Sequence, residues 1–466
     1  MSNNRSLRAS ALALAVLGTL FAGQAAASGF QLREQSVKNL GRSNAGSIVG
    51  ADASVVSLNP AAMVNLDQRT FQMDNVVIDL TAKFTGGGTV LGQPASPATS
   101  LTGGNGGDPG SPTLVPNMSA VFPMHGALEG WWLGASVGAP FGLKTEYDPG
   151  WVGRYRALTS DVKMVDLTLS AAYKFNDQFS IGVGFIYEHA QATLSKAVDF
   201  GTAICAQAAA SVPTSPANTC FNPAWPLYPL YHPQSADGSF TVKGSDNGIG
   251  WVFGMQFKPN EQFALGVSYR STIRQNLTGT LDFNGVPALV GADPRFQDGP
   301  GGAKLETPSI LTVSASYAFT DRFRMMADYQ HTGWHTLHDV TIVRNTGVVV
   351  GSEDFSWGNS NFFSVGGEYD LSDMVTLRFG VGHDESPTND VTRTPRLPDN
   401  DRMLYSIGGT WHVSSNLSFD AAFQRITIKT PHIALPFDPI TSNTSSLVGS
   451  FAGHANLFGV SMQYRF

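Results

Sequence analysis

The chain has 466 residues with 42% hydrophobic and 14% charged residues, against about 25% charged in an average soluble domain. Charge this sparse argues against a large water-facing outer wall, and a net charge of −7 argues against nucleic acid as a partner. Aromatics at 11% and 50 glycines suit interfacial girdles and bends in twisted strands.

In chain order, Arg5 and Arg8 precede an apolar run from Ala11 to Ala22, followed by the small residues Ala25, Ala26 and Ala27. This reads as a secretory signal over residues 1–27. The run falls short of the roughly 20 residues a helix needs to span a bilayer, so no retained helical anchor is expected. Residues 28–67 are too apolar for a free tail and lack alternation, which suggests an internal plug.

From residue 68 onward short polar turns recur, several entered from a strand that ends on an aromatic residue: Phe175, Phe257, Phe319, Tyr369 and Trp411. With 125–130 they make six turns. The strands alternate: Leu167, Leu169, Ala171 and Tyr173 face one way and Asp166, Thr168 and Ser170 the other. The last strand sets Phe458, Val460, Met462, Tyr464 and Phe466 against Gly459, Ser461, Gln463 and Arg465. An apolar-out, polar-in strand closing on an aromatic residue is what an outer-membrane barrel needs. Seven longer Gly/Pro/Asn/Asp-rich loops are expected at 86–113, 141–161, 198–244, 284–306, 346–352, 384–400 and 432–448. The fold class is therefore an all-β membrane protein: about 14 antiparallel strands over residues 68–466, with an N-terminal plug. A barrel that wide leaves an open lumen unless something fills it. Cys205 and Cys220, the only cysteines, could close a disulfide loop in an oxidising compartment.

The runs Gly29–Leu32, Leu40–Arg42, Asp52–Ala53 and Asn59–Ala61, with Val115–Met118, Gly142–Tyr147, Asp384–Pro387, Arg393 and Pro398–Arg402, resemble the FadL family of outer-membrane long-chain fatty acid transporters, in order along the whole mature chain. The resemblance implies a 14-stranded barrel in the bacterial outer membrane, a hatch carrying Phe30, Asn59, Pro60 and Ala61, and passive uptake of hydrophobic compounds with lateral release. Long-chain fatty acids are the favoured cargo and monoaromatic or other neutral hydrocarbons the alternative. The hatch is expected to add little hydrogen bonding to the barrel. The resemblance places a kinked strand and side gap at Pro140, Phe141 and Gly142, where Pro lacks a ladder N–H and Gly tolerates a bend, although the same residues could simply begin an outer loop. Phe221, Trp225 and Tyr228 form a greasy outer loop, suited to capture or packed on its neighbour as a small core of its own, and Lys144, Arg393 and Arg402 are head-group candidates, with Arg154 or Arg156 behind them. Arg393 and Arg402 could instead brace their own loop. The strand 10 stretch 356–363, where a fatty acid binder is expected to present a basic residue, has no Lys or Arg.

Expected partners are the hydrophobic ligand, outer-membrane lipid and lipopolysaccharide, and the barrel assembly machinery through the C-terminal strand, for a monomeric barrel without cofactor or metal. A general porin would not need the apolar N-terminal segment. An outer-membrane hydrolase lacks support, since neither His331, His335 and His338 near Asp328 and Asp339 nor His383 and Asp384 near Ser386 form a nucleophile, base and acid set. If the gap is the exit, Pro140→Ala combined with Gly142→Val should favour a continuous strand and slow uptake; unchanged uptake of a radiolabelled ligand by cells would count against a lateral exit.

Overall fold

The computed structural model of the protein describes residues 29–90, 99–211, 219–437 and 445–466. The signal expected at 1–27 lies outside the described residues. Fourteen strands alternate in burial along their length and pair antiparallel with their sequence neighbours. They begin with β1 (Thr70–Gly87), β2 (Thr113–Pro123), β3 (Trp131–Glu146), β4 (Thr159–Lys174), β5 (Phe179–Asp199) and β6 (Asp237–Phe257). Four interrupted strands follow: β7 (Phe263–Arg270, Ile273–Asn284), β8 (Gly299–Thr307, Ile310–Thr320), β9 (Phe323–Thr332, Asp339–Arg344) and β10 (Val349–Asp354, Ser360–Ser372). β11 (Val375–Asp384), β12 (Arg402–His412), β13 (Leu417–Ile428, His432–Leu435) and β14 (Leu447–Arg465) complete the wall. β14 returns to β1 in continuous register from Thr70↔Arg465 to Gly87↔Val448, which closes the barrel.

Closure is what the solvent demands. In hydrocarbon no water caps an open edge, so every backbone group of the wall must find its partner in the next strand. The outer face is apolar: Phe458, Val460, Tyr464 and Phe466 on β14 are exposed, while Ser461 and Gln463 between them are buried. The aromatic strand ends at the short turns cluster as a belt, with Tyr173 4.9 Å from Phe175 and Tyr317 4.9 Å from Phe319 between ring centroids.

Several loop boundaries differ from the sequence reading, among them 284–306, where β8 already begins at Gly299, and 432–448, where His432–Leu435 pair with β14. β3 continues to Glu146 rather than ending near 141, because a local irregularity absorbs Pro140. β5 and β6 extend to Asp199 and from Asp237, which shortens the 198–244 loop. The stretch 346–352 is not a long loop; residues 349–354 pair with 339–343 across a turn in which Gly347 takes φ +85°.

Residues 29–69 lie against the inner face of the wall. Two short helices, α1 (Val37–Leu40) and α2 (Val55–Leu58), precede a 3₁₀ turn at Pro60–Asn65. Ser36 caps α1 by accepting from the Asn39 amide, and Asn59 caps the 3₁₀ turn with Pro60 in its first position. The expectation that this segment adds little hydrogen bonding to the barrel is overturned. The Asn59 amide donates to Met255 O at 3.3 Å, Ser170 Oγ donates to Val56 O at 2.7 Å, and Ser180 Oγ donates to Ala61 O at 3.0 Å. Arg42 pairs with Glu368 at 2.8 Å, and Glu368 also holds Arg378 at 2.7 Å. Buried polar groups on both sides have to be matched, so an inner segment with capped turns and free carbonyls finds partners in the inward Ser, Asp and Glu of the strands.

Contact is close enough to need glycine. A Cβ on Gly380 would sit 2.2 Å from the Arg42 carbonyl, and one on Gly182 would sit 2.5 Å from the Ala61 amide nitrogen. Gly380→Val therefore cannot be relieved by a rotamer change. It should cost at least about 1–3 kcal/mol as overpacking and expose the inner segment to protease in an otherwise assembled barrel, whereas an unchanged digestion pattern would show that the segment tolerates displacement.

Candidate functional site

The inner segment turns upward at Gly29, whose φ of +60° and closeness to Trp334, 2.7 Å from a Cβ position, leave room for glycine alone. This places Phe30 in an aromatic box. Its ring centroid lies 4.8 Å from Trp334, 5.9 Å from Phe141 and 6.0 Å from Trp357. Trp334 comes from the break in β9, Trp357 from the break in β10, and Phe141 from β3, so interruptions in three strands converge on one ring.

Above the box lies a cavity of about 100 Å³ whose walls are almost wholly apolar, including Phe30, Leu143, Leu277, Leu337, Phe355 and Trp357. Three charged residues border it, Lys243, Glu353 and Arg396. Arg396 Nε pairs with Glu353 at 3.0 Å, and its Nη1 donates to Thr159 O, Ser160 Oγ and Ser195 O. Nη2 makes no hydrogen bond among the described residues. Lys196 stands close enough to feel the charges of Glu353, Arg396 and Arg156. Arg396 and Glu353 thus sit paired in the wall of an oily cavity, with Lys196 near them.

Below it the lumen is polar. A chamber of about 80 Å³ is bounded by Arg33, Asn44, Asp166, Arg270, Asp328 and Gln330, and a vestibule of about 1460 Å³ near the short turns is lined by Lys38, Asp52, Arg324, Glu368 and Arg378 among others. Arg270 clamps Asp166 at 2.6 Å and Glu188 at 3.1 Å, with its guanidinium 5.6 Å from the Phe141 ring. Glu34 is fully enclosed nearby. Burial pushes its carboxyl above the usual range, against the opposing pull of Arg33 and Arg402.

The wall beside the chamber is incomplete. β2 and β3 pair only from Met118↔Val137 to Pro123↔Trp132, so the Thr113–Asn117 half of β2 has no ladder on that side among the described residues. β3 shifts register against β4 between Gly138 and Phe141. There Pro140 O accepts from the Leu32 amide at 2.7 Å, and the Gly142 amide donates to Phe30 O at 2.8 Å. Pro140, Phe141 and Gly142 therefore meet the inner segment at a break in the wall.

The other candidates fall elsewhere. Arg393 is sequestered, donating to His432 O at 2.7 Å and Asp399 O at 2.6 Å as well as pairing with Asp390. Arg402 holds Asp399 at 2.8 Å, and Asp399 also accepts from the Gly29 amide at 2.9 Å. Both arginines brace the loop between β11 and β12, and neither lines the apolar cavity. Lys144 sits out of register with the cavity-lining Leu143 and is absent from the lining. Arg154 pairs with Asp237 at 2.8 Å. Phe221, Trp225 and Tyr228 follow a disulfide between Cys205 and Cys220, Cα atoms 5.0 Å apart, which ties them to α3 (Phe200–Ser211). Trp225 packs on the Phe200, Phe240 and Phe283 cluster, Tyr228 stacks on His232, and Leu227 and Leu230 remain exposed. The loop is both self-packed and greasy outside. Sequence reasoning missed Arg396 and Lys196; Arg396, three residues beyond Arg393 in the same run, was the available signal.

The model of the family described as outer membrane protein transport protein (OMPP1/FadL/TodX) matches residues 18–466. The chain belongs to the FadL family. Among curated relatives, the long-chain fatty acid transport protein of Escherichia coli O6:H1 is 28% identical, covering 90% of this chain and 91% of that protein. The crystal structure of a Pseudomonas aeruginosa FadL homologue superposes with a TM-score of 0.82 at 26% identity, covering 94% of this chain and all of that one. The Pseudomonas putida toluene transporter TodX, at 16% identity, TM-score 0.62, and coverage of 90% of this chain and 95% of that one, shares the fold. As a FadL family member the protein is an outer-membrane transporter of hydrophobic compounds, in a family of transport channels rather than enzymes.

Glu34 carries a pH signature. Its folded pKa lies above the unfolded value, so its contribution to stability is complete below the ordinary carboxylate range and is lost as pH rises through the raised value. The melting temperature of Glu34→Gln should match that of the natural barrel in acid and exceed it increasingly toward neutral pH, as read by heat-dependent mobility in gels.

Proposed function

We propose that the cargo is a long-chain fatty acid or similar amphiphile with an anionic head. The observation that carries this reading is the apolar cavity with Arg396 in its lining, the Nη2 of which makes no hydrogen bond among the described residues. An aliphatic chain gains about 0.8 kcal/mol per buried methylene, and the Arg396 guanidinium offsets the cost of burying the carboxylate. A neutral hydrocarbon would need the oily wall and none of the charge. The absence of Lys or Arg from 356–363 fits this arrangement, since that stretch supplies Trp357 while the loop between β11 and β12 supplies the cation. Similarity to the long-chain fatty acid transport protein supports the same cargo.

Passage follows from polarity. A ligand settled in the apolar cavity finds charged chambers beneath it, where its chain loses every favourable contact. The break between β2 and β3 offers lipid instead, so residues 28–67 act as a hatch that directs cargo sideways through Pro140, Phe141 and Gly142. The loop bearing Phe221, Trp225 and Tyr228 serves as the outer collecting surface. Transport is passive, by a single barrel delivered to the membrane through its C-terminal strand.

Binding of oleate and toluene to the purified barrel tests the cargo. The natural barrel should prefer oleate. Arg396→Ala should weaken oleate roughly 10–100-fold, the value of about 1.5–3 kcal/mol for hydrogen bonds to a charged group, and leave toluene unchanged. A preference for toluene, or an equal loss for both ligands, would reassign the protein to hydrocarbon uptake.

A further inference from the structure

We propose that the Gln35 side-chain amide is a latch across the break between β2 and β3, an inference that rests on the lateral exit proposed above. Above Met118↔Val137 the two strands exchange no ladder bonds among the described residues, yet the break is not empty. Gln35 Nε2 donates to Ala139 O on β3 at 2.9 Å and to Leu32 O in its own segment at 3.2 Å. Gln35 Oε1 accepts from Asn117 Nδ2 on β2 at 3.1 Å. One amide therefore spans both strands, as a backbone rung would. Gln35 and Asn117 are both at least 95% buried, so the bonds form away from competing water.

The opposing wall is cut to receive it. A Cβ at position 138 would lie 2.6 Å from Gln35 Oε1 and 3.1 Å from Asn117 Nδ2, so Gly138 gives the amide its seat. Asn117 is held in turn by Ser119, whose hydroxyl donates to Asn117 Oδ1 at 3.2 Å. A ladder rung belongs to a cooperative sheet and cannot leave alone. A side-chain amide can rotate out at the cost of the bonds it makes, each worth about 0.5–1.5 kcal/mol net, and can return when cargo has passed. The hydrocarbon chain of the cargo offers nothing to replace those bonds, so the latch recloses behind it. Gln35 is a positioning residue for release, separate from the cavity that binds.

The test uses the full barrel in lipid vesicles with cis-parinaric acid, whose binding beside Trp357 is read through tryptophan fluorescence. In a Gln35→Cys, Asn117→Cys barrel, bridging the two thiols with a short bis-methanethiosulfonate should leave binding intact and slow transfer to vesicles by roughly tenfold or more, with reductant restoring the rate. The natural barrel given the same reagents is the control for reduction of the Cys205–Cys220 bridge. Transfer unaffected by bridging would overturn the latch. Failure of the natural barrel to bind the probe would overturn the cargo reading instead, and the latch with it. If the double variant does not assemble, Asn117→Ala serves: transfer accelerated about threefold, the value of one lost hydrogen bond of about 0.65 kcal/mol, supports the latch, and an unchanged rate overturns it.

Discussion

A wall that faces lipid must satisfy every backbone N–H and C=O within itself, and nearly every feature of this molecule follows from where that is achieved by ladder bonds and where by side chains. Among the described residues thirteen of the fourteen seams are antiparallel ladders over most of the shorter strand, broken at the interruptions in β7 to β10, with β1 and β14 sharing register over the whole of β1. The fourteenth, between β2 and β3, is laddered only at its lower end. At that seam the unmatched groups are taken up by residues 30–35, through backbone bonds at Pro140 and Gly142 and a side-chain amide at Ala139. The inner segment is thus part of the wall's hydrogen bonding rather than an object lodged in a finished tube.

Polarity divides the lumen along its axis. Near the outer loops the surfaces are hydrocarbon and aromatic, bounded by Phe30, Trp334 and Trp357. Toward the short turns they carry paired charge, as in the Arg42, Glu368, Arg378 and Asp420 chain. A pair buried this deeply contributes little net stability compared with well-packed apolar residues, so its presence along the lower lumen is better understood as a barrier. It keeps that half hospitable to water and hostile to oil.

The strands were legible because period-two alternation is a direct imprint of lipid outside and polar lumen inside; Leu167 to Tyr173 on β4 shows it in a few residues. The short turns were legible from their polar residues and the aromatic ends before them. The hairpin at 339–354 was not, since Gly347 and Gly351 read as loop although their neighbours pair. Arg396 was hidden for a different reason. Its role depends on which way an irregular loop folds over the barrel mouth, and no local pattern encodes that, whereas Arg393 and Arg402 in the same run are turned to bracing by Asp399 and Asp390. Gln35 was equally invisible, because its importance comes from a rung missing between strands 82 and 104 residues away.

The inner segment also bears on how the molecule is made. Its bonds reach across the chain, from Ser170 on β4 to Glu368 on β10 and, through Lys38, to Gln463 near the C-terminus at 3.1 Å. Contacts of such sequence separation form late, because loop closure is costly until the intervening chain is ordered. Residues 29–69, which precede every strand of the wall in the chain, therefore cannot settle until the last strand does. The lumen-side surfaces of β1 to β13 must stay open or transiently hydrated while they wait, and final docking of residues 29–69 marks the moment at which the seam between β1 and β14 has shut.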